Sequence, residues 1–182
     1  MPNIILGVTS SIAIYKSADL LRQLVKKDWN VKVVMTPMAK EMVSPLLFSS
    51  LGAEGVYWDL FLSKTVEKIE SHISLSKWGE YLVIAPCTAN TISKISLGIA
   101  DNLLTSLALS FKPERTIIAP AMHTQMYLAP VIQEHIHRLT SMGVAIIGPE
   151  QGDLASGDQG VGRLAGVEKI LSYLERVVAS NL

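Results

Sequence analysis

The sequence predicts an α/β protein: a doubly wound parallel sheet of the Rossmann or flavodoxin kind, with helices on both faces. Two observations carry this. Short runs rich in Val and Ile alternate along the chain with segments of helical periodicity, a pattern that demands right-handed crossovers and a parallel sheet. The 182 residues are 49% hydrophobic and 18% charged, ample for one core and the size of one compact domain, expected to span 1–182.

The elements follow in order. Asn3 to Val8 is an apolar run ending in a Ser/Thr cluster, as a strand buried on both faces requires. Ile14, Ala18, Leu21 and Val25 then fall at helical spacing with polar residues between them. Asn30 to Met35 (N-V-K-V-V-M) reads as a second strand, and Tyr81 to Ala85 as a third, ended by Pro86. Arg115 to Ala119, ended by Pro120, reads as a fourth. A helix with Ile132, Ile136 and Leu139 on one face leads to a fifth strand, Val144 to Ile147. Val167 to Val178 closes the chain as a helix, with Ile170, Leu171 and Leu174 inward. One stretch stands apart. Gly148 to Gly166 has no apolar periodicity and carries five glycines from Gly152 onward. A loop that long in a compact domain is usually functional, and a lid is expected.

Composition narrows the partners. The 16 basic and 16 acidic residues cancel, so no electrostatic footprint for nucleic acid or an anionic membrane is present. High apolar content without net charge points to apolar surface buried between subunits. The single cysteine, Cys87, excludes an intrachain disulfide and a thiolate zinc site, and reads as a small buried residue. No run approaches the roughly 18 apolar residues of a membrane span, and no basic run precedes the first apolar stretch. A cytoplasmic protein with no metal site is expected.

In a parallel sheet, ligands bind beyond the carboxyl ends of the strands. That points to Thr9-Ser10-Ser11, Thr36-Pro37-Met38, Pro86 to Thr91, and Pro120 to Met126. The segment Gly7-Val8-Thr9-Ser10-Ser11-Ile12 has one glycine, where a dinucleotide fingerprint needs three. Its hydroxyls at a helix start suit a mononucleotide phosphate; the alternative is a plain N-cap by Ser10 or Ser11. Thr36 would add a hydroxyl. Ala85-Pro86-Cys87-Thr88-Ala89-Asn90-Thr91 combines small and amide-bearing residues, which let a flat ring approach the backbone; the alternative is a capped helix start. His72, in Ser71-His72-Ile73-Ser74-Leu75, suits proton transfer near neutral pH, with a structural histidine as the alternative. His135 and His137, two apart on a helix, point different ways and make a poor metal pair.

Together these segments resemble a known family. They comprise Gly-x-Thr-x-Ser-Ile-Ala, His-Ile-x-Leu, Ala-Pro-x-x-Ala-Asn-Thr, Pro-Ala-Met-x-x-x-Met and the loop Ser156-Gly157-Asp158-x-Gly160-x-Gly162-Arg163-Leu164. In this order they look like the homo-oligomeric flavin-containing cysteine decarboxylases, above all their phosphopantothenoylcysteine decarboxylase branch, over roughly residues 3 to 175.

The resemblance implies an FMN shared between subunits of a trimer, sometimes assembled further into a dodecamer. It implies a phosphate end lined by Ser10, Ser11 and Ile12 and continued by Thr36, Pro37 and Met38. Flavin contacts would come from Thr88, Ala89, Asn90, Thr91 and Ala121. His72 would be the catalytic acid–base, and residues 148–166 a flap over the substrate. Substrate contacts would come from His123, Met126, Asp153 and Ala155. The implied reaction is FMN-dependent decarboxylation of 4′-phosphopantothenoylcysteine to 4′-phosphopantetheine in coenzyme A synthesis. The alternatives are oxidative decarboxylation of a peptide's C-terminal cysteine, or an impaired FMN-binding regulatory homologue. Two residues depart from the branch's pattern. His123 stands where the motif has Asn, which helps hold the substrate carboxylate. Ser156 stands where the flap has the Cys that donates a proton as the flavin returns its electrons. A hydroxyl is far less acidic than a thiol, so the oxidised product is expected to accumulate.

Overall fold

The computed structural model describes residues 1–60 and 71–180. Residues 61–70 and 181–182, which the single-domain expectation includes, lie outside the described residues. The chain opens with β1 (Asn3–Val8), a short 3₁₀ turn (Ile12–Ile14) and α1 (Tyr15–Val25). Then come β2 (Asn30–Met35), α2 (Pro37–Met42), α3 (Pro45–Ser50), β3 (Gly55–Tyr57) and α4 (His72–Trp78). The second half holds β4 (Tyr81–Cys87), α5 (Ala89–Leu97), α6 (Leu103–Ser110), β5 (Thr116–Pro120), α7 (Thr124–Leu128), α8 (Pro130–Ser141) and β6 (Ala145–Ile146). A hairpin of β7 (Glu150–Asp153) and β8 (Gln159–Arg163) precedes α9 (Val167–Ala179).

Six strands form one parallel sheet in the order β3-β2-β1-β4-β5-β6. The doubly wound expectation holds. Every residue of β4 and β5 is buried, which explains why these strands read as continuous apolar runs without alternation. On one face Leu20, Leu21 and Leu24 of α1, Phe48 of α3, and Ile170 and Leu174 of α9 pack against the sheet. On the other, Leu75 of α4, Ile92 of α5, Leu104 and Leu107 of α6, and Leu139 of α8 do the same. The strand order reverses between β1 and β4, and side chains lock that junction. The buried Thr9 hydroxyl donates to the Pro86 carbonyl (2.8 Å) and accepts from the Thr88 N–H (3.1 Å). Ser17 Oγ of α1 donates to the Ala85 carbonyl (2.9 Å).

Three expectations need correction. The strand expected at Val144–Ile147 is observed as Ala145–Ile146 and is the sixth among the described residues, because β3 precedes the Tyr81 strand; the three half-buried residues of β3 are too few to show a period. Pro86 does not end its strand. β4 continues to Cys87, with a register shift against β5 between Ile84 and Cys87, as expected where a residue has no N–H for the ladder. The 148–166 segment is not structureless, since β7 and β8 pair antiparallel. Its Gly-rich, polar strands lack the alternation that marks a half-buried strand.

Candidate functional site

At the carboxyl edge of the sheet, four strands run into helix starts, and each start is capped by a side chain read as functional. After β1, Ser11 Oγ accepts from the Ala13 N–H (3.3 Å). After β2, buried Thr36 accepts from the Ala39 N–H (3.2 Å). After β4, Thr88 accepts from the Thr91 N–H (3.4 Å) and lies 3.3 Å from the Thr91 hydroxyl. After β5, His123 Nδ1 accepts from the Gln125 N–H (3.2 Å). The capping alternative thus holds for Ser11 and Thr88. It does not exhaust them, because a cap uses one lone pair of an oxygen that has two and a proton besides. Gly7 serves packing: a Cβ there would sit 2.7 Å from Leu104 Cδ1, so α6 lies close on β1.

A cavity of about 550 Å³ opens beside the Ser11 turn and under the hairpin. Among the expected residues, Ser11, Ile12, Ala121 and His123 form its floor and side, while Asp153, Ala155 and Ser156 of the hairpin cover it. The segment expected to form a flap and the residue expected at the carboxylate thus line one cavity. Ser10, Thr36, Met38, the Thr88–Thr91 segment and Met126 lie outside this cavity, and Pro37 borders a smaller one of about 260 Å³. Tyr15, Lys16 and Arg163 also line the main cavity, without having been singled out in the sequence. Lys16 lies on the first turn of α1 with no motif to mark it, whereas Arg163 closes the glycine-rich loop that the sequence sets apart.

The hairpin rests on the β5 end through missing side chains. The Gly162 carbonyl accepts from the Met122 N–H (2.9 Å). A Cβ on Gly162 would strike the Met122 carbonyl, and one on Gly160 would strike Thr124 Oγ1. A polar clasp completes the closure. Asp158 Oδ2 accepts from Ser156 Oγ (3.0 Å) and lies 3.3 Å from His123 Nε2. Because His123 Nδ1 is an acceptor, Nε2 carries the proton and donates to Asp158. The hydrogen bond from His123, and then that from Ser156, hold the Asp158 carboxyl below its ordinary value.

His72 is elsewhere. It is the first residue of α4, whose start is fixed by a reciprocal Ser71–Ser74 capping box. It does not line the cavity. Leu75 of α4 packs on one side of the sheet, whereas the cavity's Leu164 and Ala121 belong to the cluster on the other. The neighbouring Ile73 is 46% exposed.

The flavoprotein family model matches residues 1–179. The chain is 39% identical over 173 residues to a probable phosphopantothenoylcysteine decarboxylase of Streptococcus mutans, covering 94% of this chain and 96% of that one. This chain belongs to the flavin-containing cysteine decarboxylase family. It is also 40% identical over 179 residues to the coenzyme A biosynthesis bifunctional protein CoaBC of Bacillus subtilis, covering 98% of this chain but 44% of that protein. It therefore spans less than half the length of such bifunctional relatives. Among solved structures it resembles a cysteine-to-serine mutant of PPC decarboxylase complexed with pantothenoylaminoethenethiol, with 30% identity, a TM-score of 0.87 and 98% of both chains covered.

The residues present fit the family's flavin. Ala89 and Ala121, both buried, keep the β4 and β5 ends small enough for a flat ring. The exposed Asn90 side chain has no partner among the described residues, which leaves its amide for a ring edge. Ile12 (67% exposed) and Met38 (63%) present apolar surface at the ends of β1 and β2.

Proposed function

We propose that the chain decarboxylates 4′-phosphopantothenoylcysteine with FMN as its flavin. The observation that carries this reading is the flap cavity, where Ser156 and His123 meet over the carboxyl end of β5. When bound, FMN supplies a two-electron oxidant for the substrate's cysteine, which makes the carbanion left by CO₂ tolerable. The chain's own groups do the rest. Neutral donors at the Ser10-Ser11-Ile12 turn and Thr36 hold the FMN phosphate. Thr88, Ala89, Asn90, Thr91 and Ala121 frame the ring. His123 Nε2–H, which donates to Asp158 in the closed flap, turns to the substrate carboxylate in place of an amide when substrate enters, and the hairpin, with Asp153 and Ala155, excludes water.

His72 moves the cysteine proton, from a second copy of the chain. Two observations support that arrangement. His72 is absent from its own chain's cavity, and Ile12, Tyr15, Met38 and Ile73 are exposed apolar residues around the two parts of the site. We infer a trimer or a multiple of it, placed in the cytoplasm with coenzyme A biosynthesis. Among the described residues, no helix is long and apolar enough to cross a membrane.

Ser156 decides the product. Its proton is committed to Asp158 in the closed flap, and a serine hydroxyl has no accessible anion near neutral pH. We therefore expect a product two hydrogens lighter than 4′-phosphopantetheine, the ethenethiol, with oxygen needed for further turnover. The ethenethiol complex of the cysteine-to-serine PPC decarboxylase mutant supports this outcome. Anaerobic turnover followed by mass analysis tests it, and Ser156→Cys is expected to restore the reduced product. Clean formation of 4′-phosphopantetheine by the unaltered protein over many turnovers would remove Ser156 from this account. No product of either mass from 4′-phosphopantothenoylcysteine would end the substrate assignment.

A further inference from the structure

The cavity holds two cations that the proposed chemistry at the cysteine end does not use. Lys16, half-buried on the first turn of α1, lines one wall, and Arg163, the last residue of β8, lines the flap wall. Neither has an acidic partner among the described residues. The nearby carboxylates are engaged elsewhere. Asp153, also in the cavity, accepts from Gln159 Nε2 (3.0 Å). Glu150, which opposes Arg163 in the hairpin ladder, is 3.5 Å from Lys169 Nζ. The guanidinium has a made place: a Cβ on Gly152 would lie 2.9 Å from Arg163 Nη1. Two cations that line one cavity without an acidic partner among the described residues, one of them an exposed planar fork, are suited to a dianion with several acceptor oxygens.

We propose that Lys16 and Arg163 form a receptor for a phosphate monoester in the flap cavity, and that it takes the substrate's phosphate. The assignment rests on the decarboxylase reading above and adds the residues that select the phosphorylated substrate. Two phosphates are available, the flavin's and the substrate's, and the position of Arg163 chooses between them. It belongs to the hairpin that covers the cavity, so its charge arrives with closure, as a ligand that enters and leaves each cycle requires. The donors assigned to the cofactor phosphate are neutral; Ser11 and Ile12 among them share this cavity and Thr36 lies outside it, so the position of Arg163 on the hairpin carries the choice. Charge balance points the same way. A peptide ending in cysteine brings one carboxylate, which His123 meets. A phosphorylated substrate brings a carboxylate and a dianion, which His123, Lys16 and Arg163 meet together.

The test uses the flavin-loaded full chain and two unreactive probes, 4′-phosphopantothenate and pantothenate, by titration calorimetry. The phosphorylated probe is expected to bind about tenfold tighter or better, with the gap narrowing as salt rises. Lys16→Met and Arg163→Met should each shrink the gap, and the double variant should erase it without weakening pantothenate. Lys16→Arg should keep it. Lys16→Gln repeats the test where the methionine variant fails to fold. Equal binding of both probes by the unaltered protein, or a preference that survives the double variant, overturns the receptor. So does a double variant that loses its preference for FMN over riboflavin while keeping that for the phosphorylated probe, because the cations then serve the cofactor. The two readings fail separately. Equal kcat/KM for 4′-phosphopantothenoylcysteine and its dephosphorylated form would overturn the receptor and leave the decarboxylase. A tenfold probe preference without any decarboxylation would uphold the receptor and end the decarboxylase.

Discussion

One carboxylate oxygen of Asp158 serves both Ser156 and His123, so the flap and the floor of the cavity close on a single atom. The lowered pKa of Asp158 fixes the sign of its pH dependence. A depressed carboxyl contributes fully above its ordinary value of 3.8 and is lost only as pH falls through its lower folded value. Amide exchange in the 154–159 tip should therefore stay slow through mild acid and quicken below that range. Asp158→Asn should quicken it already at neutral pH, and a tip insensitive to both changes would show that the clasp does not hold the flap. His72→Asn keeps the shape but cannot shuttle a proton near neutral pH, so turnover should drop by about 10²- to 10⁴-fold with flavin still bound. Unchanged turnover would exclude His72 from the chemistry. At this scale the sequence was an incomplete guide. Ser11, Thr36 and Thr88 read as hydroxyls at strand ends, and that is where they lie. A cap is one of two readings that the sequence offers for Ser11 and for the Thr88 segment; the Thr36 cap on Ala39 shows only in the backbone.

The hairpin of β7 and β8 is the element on which the site depends. Its seat requires bare backbone at Gly162, whose φ of +144° also disfavours other residues. Gly162→Ala should cost about 1–3 kcal/mol of flap closure through the clash and the strain. Limited proteolysis across Leu154–Gln159 would report it as faster cleavage. Cleavage at the original rate would mean that the Met122 contact does not set the closed position. The glycine density of residues 148–166 made a lid legible. The hairpin itself was not, because strands such as Glu150–Asp153 and Gln159–Arg163 owe their pairing to their partner rather than to an apolar face. α6 leaves no signal in the sequence for a related reason. Leu103–Ser110 is apolar on most sides, and an element without a polar face shows no period.

For the whole molecule, the separation of His72 from the cavity and the exposed Ile12, Tyr15, Met38 and Ile73 support the proposed site shared between chains. Light scattering should therefore find a trimer or a multiple of it. A stable monomer with full flavin occupancy and full activity would contradict the shared site. The sequence alone determined the sheet strands at Asn3–Val8 and Asn30–Met35, the doubly wound class, the family, and which segments follow the strand ends. Those features are written in residues close along the chain, where apolar period, helix starts and motif order are local. Only the tertiary structure decided that Asp158 reaches His123 across 35 positions, that Lys16 and Arg163 share one cavity, and that His72 does not reach it. Such meetings depend on how the sheet orders its strands and where the hairpin lands, and long-range closure of that kind leaves no period in the chain.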